Sequence, residues 1–234
     1  MIGGEERAEK MVRFVLASAS PARLRTLQAA GVEPEVLISG VDEGAISEVD
    51  PVGLVQALAS AKATAVAAML LAPAAPAGPP VLAARPMPAA AAGTPVVLIG
   101  CDSMLEIGGQ VVGKPADPAE AVRRWRQLRG STATLHTGHS LIELRDGALA
   151  AKLDRVASTE IRFATPSDAE IADYVATGEP LRVAGAFTID GLSGWFVESI
   201  TGDHHNVVGI SLPLVRLMLA ELGYSLADLP VRSG

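Results

Sequence analysis

Short apolar runs alternate along the chain with segments whose apolar residues recur at helical spacing. Residues 14–17 and 96–100 are continuous apolar runs of strand length, which is typical of strands buried on both faces. Between them, Asp50-Pro51 places a capping residue before a proline and predicts a long helix that ends near Leu71. The pattern therefore predicts a domain in which strands and helices interleave.

Two predicted hairpins interrupt this alternation. Gly108-Gly109 and Asp146-Gly147 each separate two segments of strand character, and such dipeptides favour tight turns between antiparallel strands. Crossover connections and hairpins together require parallel and antiparallel pairs in one sheet. The expected fold class is α/β, with a central twisted mixed β-sheet flanked by helices.

The composition supports a single packed unit. The chain has 234 residues, of which 49% are hydrophobic and only 3% aromatic, so we expect a sizeable core of Ala, Val, Leu and Ile. We predict a flexible leader over residues 1–12 and one domain over 13–234. Residues 72–95 are rich in Ala and Pro, and because Pro breaks helices and central strands, they are interpreted as a mobile surface insertion. The alternative is a spacer without function.

Charge and cysteine content exclude several classes of protein. The net charge of −7 argues against nucleic-acid binding, and the longest apolar stretches are too short or too Pro-rich to span a membrane. Cys101 is the only cysteine, which excludes an intramolecular disulfide and a four-cysteine zinc site. The charged N-terminus lacks the apolar segment of a signal peptide. We expect a cytoplasmic protein.

The segment after the first strand has the features of an anion site. Ser18 and Ser20 place hydroxyl groups at a predicted helix start, where Ser20 can act as the cap and Pro21 as the first helical residue. Free amides and the helix dipole favour phosphate there, and Arg23 and Arg25 can add charge-assisted bonds. The alternative is an ordinary capped helix with solvated arginines.

Carboxylates in two places could serve catalysis or metal binding. Asp102 ends the buried run at 96–100, and ligands of open α/β sheets gather at such strand ends. Asp42 and Glu43 lie in a polar loop, and together with Asp102 they could hold Mg²⁺ beside substrate phosphates. The alternatives are an Asp that caps the next turn and a solvated acidic loop.

Basic residues near the middle of the chain include one candidate phosphate ligand. Gly108, Gly113 and Lys114 have the spacing of a P-loop, but Pro115 stands where that motif requires Ser or Thr, so a P-loop is rejected. Lys114 on a Gly-Lys-Pro turn is a candidate phosphate ligand, or else a solvated loop lysine. The arginines of the following helix are interpreted as mostly a solvated face; they are Arg123, Arg124, Arg126 and Arg129.

An ordered series of short motifs resembles the Maf family of nucleoside triphosphate pyrophosphatases, within the inosine triphosphate pyrophosphatase-like superfamily. The sequence LASASPAR at residues 16–23 is similar to the opening signature of the family. The other matching segments follow in the family's order, at residues 41–43, 62, 100–103, 113–115, 128–130, 137–138, 178–180, 184–187, 202–203 and 206–209.

The resemblance implies an elongated fold of two lobes with a nucleotide cleft between them. It implies hydrolysis of a nucleoside triphosphate to the monophosphate and pyrophosphate with a divalent cation, Mg²⁺ or Mn²⁺, and it is compatible with a homodimer. Asp102 would accept the proton, and Glu43 and Asp102 would hold the metal. The phosphates would be bound by Ser18, Ser20, Arg23, Lys62 and Lys114. The alternative is a nucleotide-binding regulator of septum formation without essential catalysis.

Three positions depart from the family pattern, and the resemblance identifies them as determinants of base specificity. Ala22 stands where members acting on dTTP and UTP carry Arg and another subgroup carries Trp. Ser103 replaces their Thr, and Asp190 replaces Gln or Glu. An ionised Asp190 accepts hydrogen bonds and favours base edges with N–H donors. We expect tolerance of more than one base.

Overall fold

The computed structural model describes residues 11–46, 50–72 and 93–231. Most of the predicted leader and most of the predicted insertion at 72–95 lie outside the described residues. At the start of the described chain, Val12 is buried, and its amide donates a hydrogen bond to the Asp228 carbonyl at 3.0 Å. Val12 is therefore part of the packed domain.

Six α-helices and seven β-strands occur in the described parts of the chain. The helices are α1 (Pro21–Ala29), α2 (Pro51–Leu71), α3 (Pro118–Leu128), α4 (Asp168–Ala176), α5 (His204–Val208) and α6 (Leu212–Glu221). The strands are β1 (Arg13–Leu16), β2 (Glu35–Val36), β3 (Val96–Ile107), β4 (Gln110–Val112), β5 (Thr132–Arg145), β6 (Ala148–Phe163) and β7 (Val197–Thr201).

The seven strands form one mixed sheet, as the sequence predicted. Its order is β2-β1-β3-β5-β6-β7, with β4 paired to the end of β3. β1 runs parallel to β2 and β3, whereas the remaining pairs are antiparallel. The predicted turn at Asp146-Gly147 joins β5 to β6, with both residues at positive φ.

One edge of β3 is only partly covered. β1 pairs with residues 96–99 of β3, and β4 pairs with residues 105–107. Among the described strands, none pairs with residues 100–104 along that edge. This gap, which we call the notch, leaves Asp102 open to a ligand. The expectation that the strand ends at Asp102 is wrong, because β3 stays paired to β5 beyond it and continues to Ile107.

Helix α2 crosses the sheet over β3 and β5, and two glycines allow its close approach. A Cβ atom on Gly100 would lie 2.5 Å from the Ala59 carbonyl oxygen, and one on Gly138 would lie 2.2 Å from the Val55 carbonyl oxygen. In the described part of the chain, α2 alone is long and apolar enough to cross a membrane, so the expectation that every apolar stretch is too short or too Pro-rich is wrong. Because it buries a stripe of side chains against the sheet, it is a core helix here.

Two core clusters share the opposite face of the sheet, at its two ends. Ile99 belongs to the first cluster and Leu105 to the second, and their even separation places both on one face of β3. The first cluster is mainly aliphatic and packs under α1 and α6. The two clusters form the cores of the two predicted lobes.

The second cluster is rich in aromatic residues, although only 3% of the sequence is aromatic. The Trp125 ring makes edge-to-face contacts with Phe163, Tyr174 and Phe196, with centroid distances of 5.8, 5.3 and 5.4 Å. Phe163 contacts Phe187 in the same way. The expectation of a purely aliphatic core is therefore wrong for this lobe, because five of the eight aromatic residues in the sequence collect here.

Candidate active site

A cleft of about 650 Å³ opens at the notch and collects most of the predicted site residues. We call its two sides the near wall and the far wall. The near wall consists of residues 17–23, 38–41, 43, 62 and 102–104. The far wall consists of residues 113–114, 182–184 and 187–188. The volume lies within the range of pockets that bind small molecules.

Lys62 and two carboxylates form the charged centre of the near wall. The Lys62 ammonium lies 2.5 Å from Asp102 Oδ1 and 2.7 Å from Glu43 Oε1. Asp102 and Lys62 are buried, whereas Glu43 is exposed. The glycines under α2 explain this arrangement, since Gly138 pairs with Asp102 across β3 and β5 and allows α2 to lie close to this part of β3.

Arg23 is buried in the near wall and makes three hydrogen bonds with neutral oxygens. Its Nε donates to the Gly209 carbonyl at 2.7 Å, Nη1 to Ser18 Oγ at 3.1 Å and Nη2 to Ser103 Oγ at 3.0 Å. No carboxylate pairs with Arg23 among the described residues. Its positive charge is therefore available to an anion in the cleft.

Gly209 supports Arg23, although sequence reasoning gave it no role. Its φ of +122° favours glycine, and a Cβ atom there would lie 3.1 Å from Arg23 Nε. Thr137 and Asn206 continue the support, because Ser103 Oγ and Thr137 Oγ1 are 2.9 Å apart and Thr137 donates to the Asn206 carbonyl at 3.1 Å. The motif resemblance was the signal that could have found these residues.

The two serines before α1 have different roles. Ser18 Oγ accepts the Ser20 amide at 3.2 Å as well as a hydrogen bond from Arg23. Ser20 occupies the N-cap position, as expected, but its side chain makes no capping hydrogen bond. Ser18 therefore organises the loop, and the Ser20 hydroxyl faces the cleft without a partner in the described structure.

Lys114 lies on the far wall and is exposed. In the described parts of the chain, its ammonium has no hydrogen bond or ion pair. The interpretation of Arg124 as a solvated residue is wrong. Arg124 is buried and donates through Nη1 to the Gly113 carbonyl at 2.8 Å, because α3 packs beside the turn that carries Lys114.

The three predicted specificity positions lie at different depths. Ala22 lines the near wall. The Ser103 hydroxyl is directed to Arg23 and Thr137 and belongs to the support of the arginine. Asp190 is exposed beyond the far wall, where it contacts the Thr188 hydroxyl and lies 3.5 Å from Arg25. Arg25 thus reaches across the mouth of the cleft.

Two buried titratable groups stand behind the near wall. Burial raises the pKa of the Cys101 thiol to about 12, so this cysteine is a protonated packing residue. Burial lowers the pKa of His139 to about 4. His139 Nδ1 donates to the Thr137 carbonyl at 3.0 Å, and its Nε2 accepts the Ser211 amide at 2.8 Å, which fixes the neutral tautomer.

The chemistry of this arrangement is that of an anion site with one buried carboxylate. Four cations from the two walls line the cleft: Arg23, Lys62, Lys114 and Arg182. Within the described residues, no group of three or more His, Cys, Asp or Glu side chains converges to hold a metal by itself. A divalent cation would therefore need ligands from a bound substrate in addition to Glu43 and Asp102.

Comparison with known proteins adds independent findings. The family described as Maf-like protein matches residues 13–222. A nucleoside triphosphate pyrophosphatase of Salinispora tropica is 51% identical over 93% of this chain and 87% of its own length. Proteins of the same name from Streptomyces coelicolor and Thermosynechococcus vestitus are 49% and 47% identical over 93% of this chain, and over 94% and 98% of their own lengths.

Proposed function

The chain belongs to the family of Maf-like proteins, and on this basis we propose that it hydrolyses a nucleoside triphosphate to the nucleoside monophosphate and pyrophosphate. The observation that carries the proposal is the buried carboxylate of Asp102 at the notch, held by Lys62 at 2.5 Å in a cleft with cations on both walls. A site that only bound nucleotide would need the cations but no such carboxylate.

The triphosphate is bound between the two walls. Arg23 offers a guanidinium that no carboxylate neutralises in the described structure, and Lys114 offers a free ammonium from the opposite side. Ser18, Ser20 and the start of α1 add hydrogen-bond donors on the near wall. Phosphoryl transfer depends mainly on such positioning and charge stabilisation.

Asp102 acts as the proton acceptor. It takes a proton from the attacking water as the anhydride bond between the α- and β-phosphates breaks and pyrophosphate leaves. Lys62 orients the carboxylate through their short contact and supplies positive charge beside the phosphates. Asp102 thus combines the rigidity of a paired strand with access to the cleft.

Glu43 and Asp102 fit a divalent cation, Mg²⁺ or Mn²⁺. Both carboxylates reach the same ammonium, so their oxygens lie close together, and hard oxygen ligands suit these ions. When bound, the cation would neutralise charge on the phosphate oxygens. Lys62 keeps the two carboxylates directed to the same place.

We further propose that base preference depends on Ala22, Ser103 and Asp190. Ala22 leaves space on the near wall, and Asp190 accepts hydrogen bonds at the mouth of the cleft. Ser103 contributes through Arg23, to which its hydroxyl is bonded. This combination favours more than one base.

The remaining proposals concern the setting of the enzyme. We propose that it acts in the cytoplasm, where a single protonated thiol such as Cys101 stays reduced. We propose no nucleic-acid partner, in view of the net charge of −7. We propose no membrane partner, because the apolar helix α2 packs against the sheet. Gel filtration of the pure protein tests the homodimer that the family resemblance allows.

Pyrophosphate release from a panel of normal and modified nucleoside triphosphates tests the function. We expect activity with added Mg²⁺ or Mn²⁺, and a loss of roughly 10²–10⁴-fold in Asp102→Asn at unchanged melting temperature. An inactive wild-type protein that still binds the nucleotides would instead support the regulator of septum formation. Near-normal activity of Asp102→Asn would refute the role of Asp102.

A further inference from the structure

Lys114 lies in a turn without regular secondary structure. Residues 113–116 connect β4 to α3, and no strand or helix hydrogen bonds hold this segment. A Cβ atom on Gly113 would meet nothing within 4 Å, so packing does not hold the turn at Gly113, whereas Pro115 on the other side of Lys114 is buried. The position of the Lys114 ammonium therefore depends on other contacts.

An ion pair on α3, between Glu120 and Arg124, forms hydrogen bonds with the backbone on both sides of Lys114. Arg124 Nη1 donates to the Gly113 carbonyl at 2.8 Å. Glu120 Oε2 accepts the Ala116 amide at 2.8 Å. The two side chains are joined to each other, because Arg124 Nη2 donates to Glu120 Oε1 at 2.6 Å. Together with the backbone of residues 113–116, these three contacts form a closed loop that includes Lys114.

The pair differs from an ordinary surface ion pair in its burial and in its partners. Arg124 is only 8% exposed, whereas its neighbour Arg123 is exposed and has no polar contact in the described structure. A buried guanidinium is unfavourable unless it is paired and hydrogen-bonded. Arg124 meets this condition through its ion pair with Glu120 and its hydrogen bond to the Gly113 carbonyl, directly before Lys114.

The helix that carries the pair is itself well anchored. Asp117 caps its start through the Glu120 amide at 2.7 Å. Trp125, next to Arg124, donates to the Ala186 carbonyl at 2.9 Å, and both residues belong to the second core cluster. The Gly185 amide adds a second donor to the Gly113 carbonyl at 3.0 Å. The turn is therefore fixed to a rigid frame.

We propose that Glu120 and Arg124 are positioning residues, which hold Lys114 where it binds the pyrophosphate part of the substrate. The proposal rests on the proposed function. Neither side chain touches the substrate, and both act through the backbone on either side of Lys114. Removing the pair leaves the charge of Lys114 intact but removes two of the three hydrogen bonds that hold its turn.

A double-mutant cycle tests this role. We compare Arg124→Met with the neighbouring control Arg123→Met, each alone and combined with Lys114→Met. We expect Arg124→Met to reduce kcat/KM roughly 10-fold, mainly through KM, because a charge-assisted contact is weakened. In the Lys114→Met background it should have no further effect. Arg123→Met should match the wild-type protein in both backgrounds.

Binding of inorganic pyrophosphate, followed by calorimetry, separates this proposal from the function itself. If the wild-type protein releases no pyrophosphate from nucleotides, the proposed function fails, while the loss of pyrophosphate affinity in Arg124→Met still supports the positioning role. Unchanged kcat/KM and affinity, or losses that add to those of Lys114→Met, would overturn it. Should Arg124→Met fail to fold, Glu120→Ala takes its place with the same expected pattern.

Discussion

The near wall of the cleft takes Arg23, Lys62 and Asp102 from helices and a strand, whereas the far wall is built from turns and short 3₁₀ helices. On the near wall, β1, β3, α1 and α2 bring Arg23, Lys62 and Asp102 together through backbone packing. On the far wall, side chains of α3 bond the backbone of loops, as Arg124 does at Gly113 and Trp125 at Ala186.

The two walls also differ in the polar partners of their charged side chains. Lys62 is paired with two carboxylates, and Arg23 is bonded to three neutral oxygens. Lys114 has no such partner in the described structure. The near wall is therefore organised before substrate arrives, whereas the far wall contributes charges without an ion-pair partner among the described residues, and the position of Lys114 depends on a few polar contacts.

A side chain added at Gly138, where α2 packs closely on the sheet, should disrupt the near wall more than any other change considered. In Gly138→Ala the new methyl group would lie 2.2 Å from the Val55 carbonyl oxygen, which neither backbone can avoid without shifting. We expect a loss of about 3 kcal/mol or more in unfolding free energy, measured by urea denaturation. The far-wall control Gly113→Ala has free space and should change stability by less than about 1 kcal/mol. Equal losses would contradict the comparison.

His139 makes the support of the near wall sensitive to acid. Its pKa is lowered to about 4 in the folded state, so between pH 6.5 and 4 the unfolded chain binds a proton that the folded chain does not. Stability therefore falls as pH decreases through this window, by about 3 kcal/mol. Urea denaturation at several pH values checks this, with His139→Gln as the comparison. The same pH dependence in both proteins would exclude His139 as its source.

Arg23 and Lys114 test whether both walls serve the triphosphate. We expect Arg23→Met and Lys114→Met to reduce kcat/KM by about 10–100-fold, to a similar degree for all bases. Arg23→Met should be the more damaging, because it also leaves the Gly209 carbonyl without its partner. A variant that altered only the ranking of bases would assign its residue to base recognition instead.

Asp190 should have the smallest effect on rate. We expect Asp190→Gln to change the ranking of dTTP, UTP, GTP and methylated analogues by several-fold, about 1 kcal/mol, with little change in the overall rate. The matched control Asp173→Asn removes another exposed carboxylate, which has no polar contact in the described structure. Indistinguishable profiles of wild type and Asp190→Gln would remove Asp190 from the specificity set.

The near wall was also the more predictable from the sequence. Asp102 follows a continuous apolar run, and Ser18 to Arg23 stand at a helix start, so local rules locate them. The helix start predicted at Asp50 is confirmed by a side-chain cap on the Gly53 amide, and Asp117 and Ser167 cap α3 and α4 in the same way. Hydrophobic patterning and capping both act over a few residues.

The contacts of the far wall could not be predicted in this way. Arg124 follows another arginine on an amphipathic helix, and nothing in its neighbourhood indicates that it is buried against Gly113. The aromatic cluster around Trp125 likewise joins residues far apart in the chain. Such contacts depend on how lobes pack, which short-range patterns do not encode.

The notch in β3 also bears on aggregation. An uncovered strand edge presents free N–H and C=O groups that can recruit a strand from another molecule. Here the uncovered stretch covers only residues 100–104, with β1 before it and β4 after it. An incoming strand would find too few partners and would have to enter the cleft to reach them. The same opening that admits a small ligand is thus too short and too recessed to seed the association of chains.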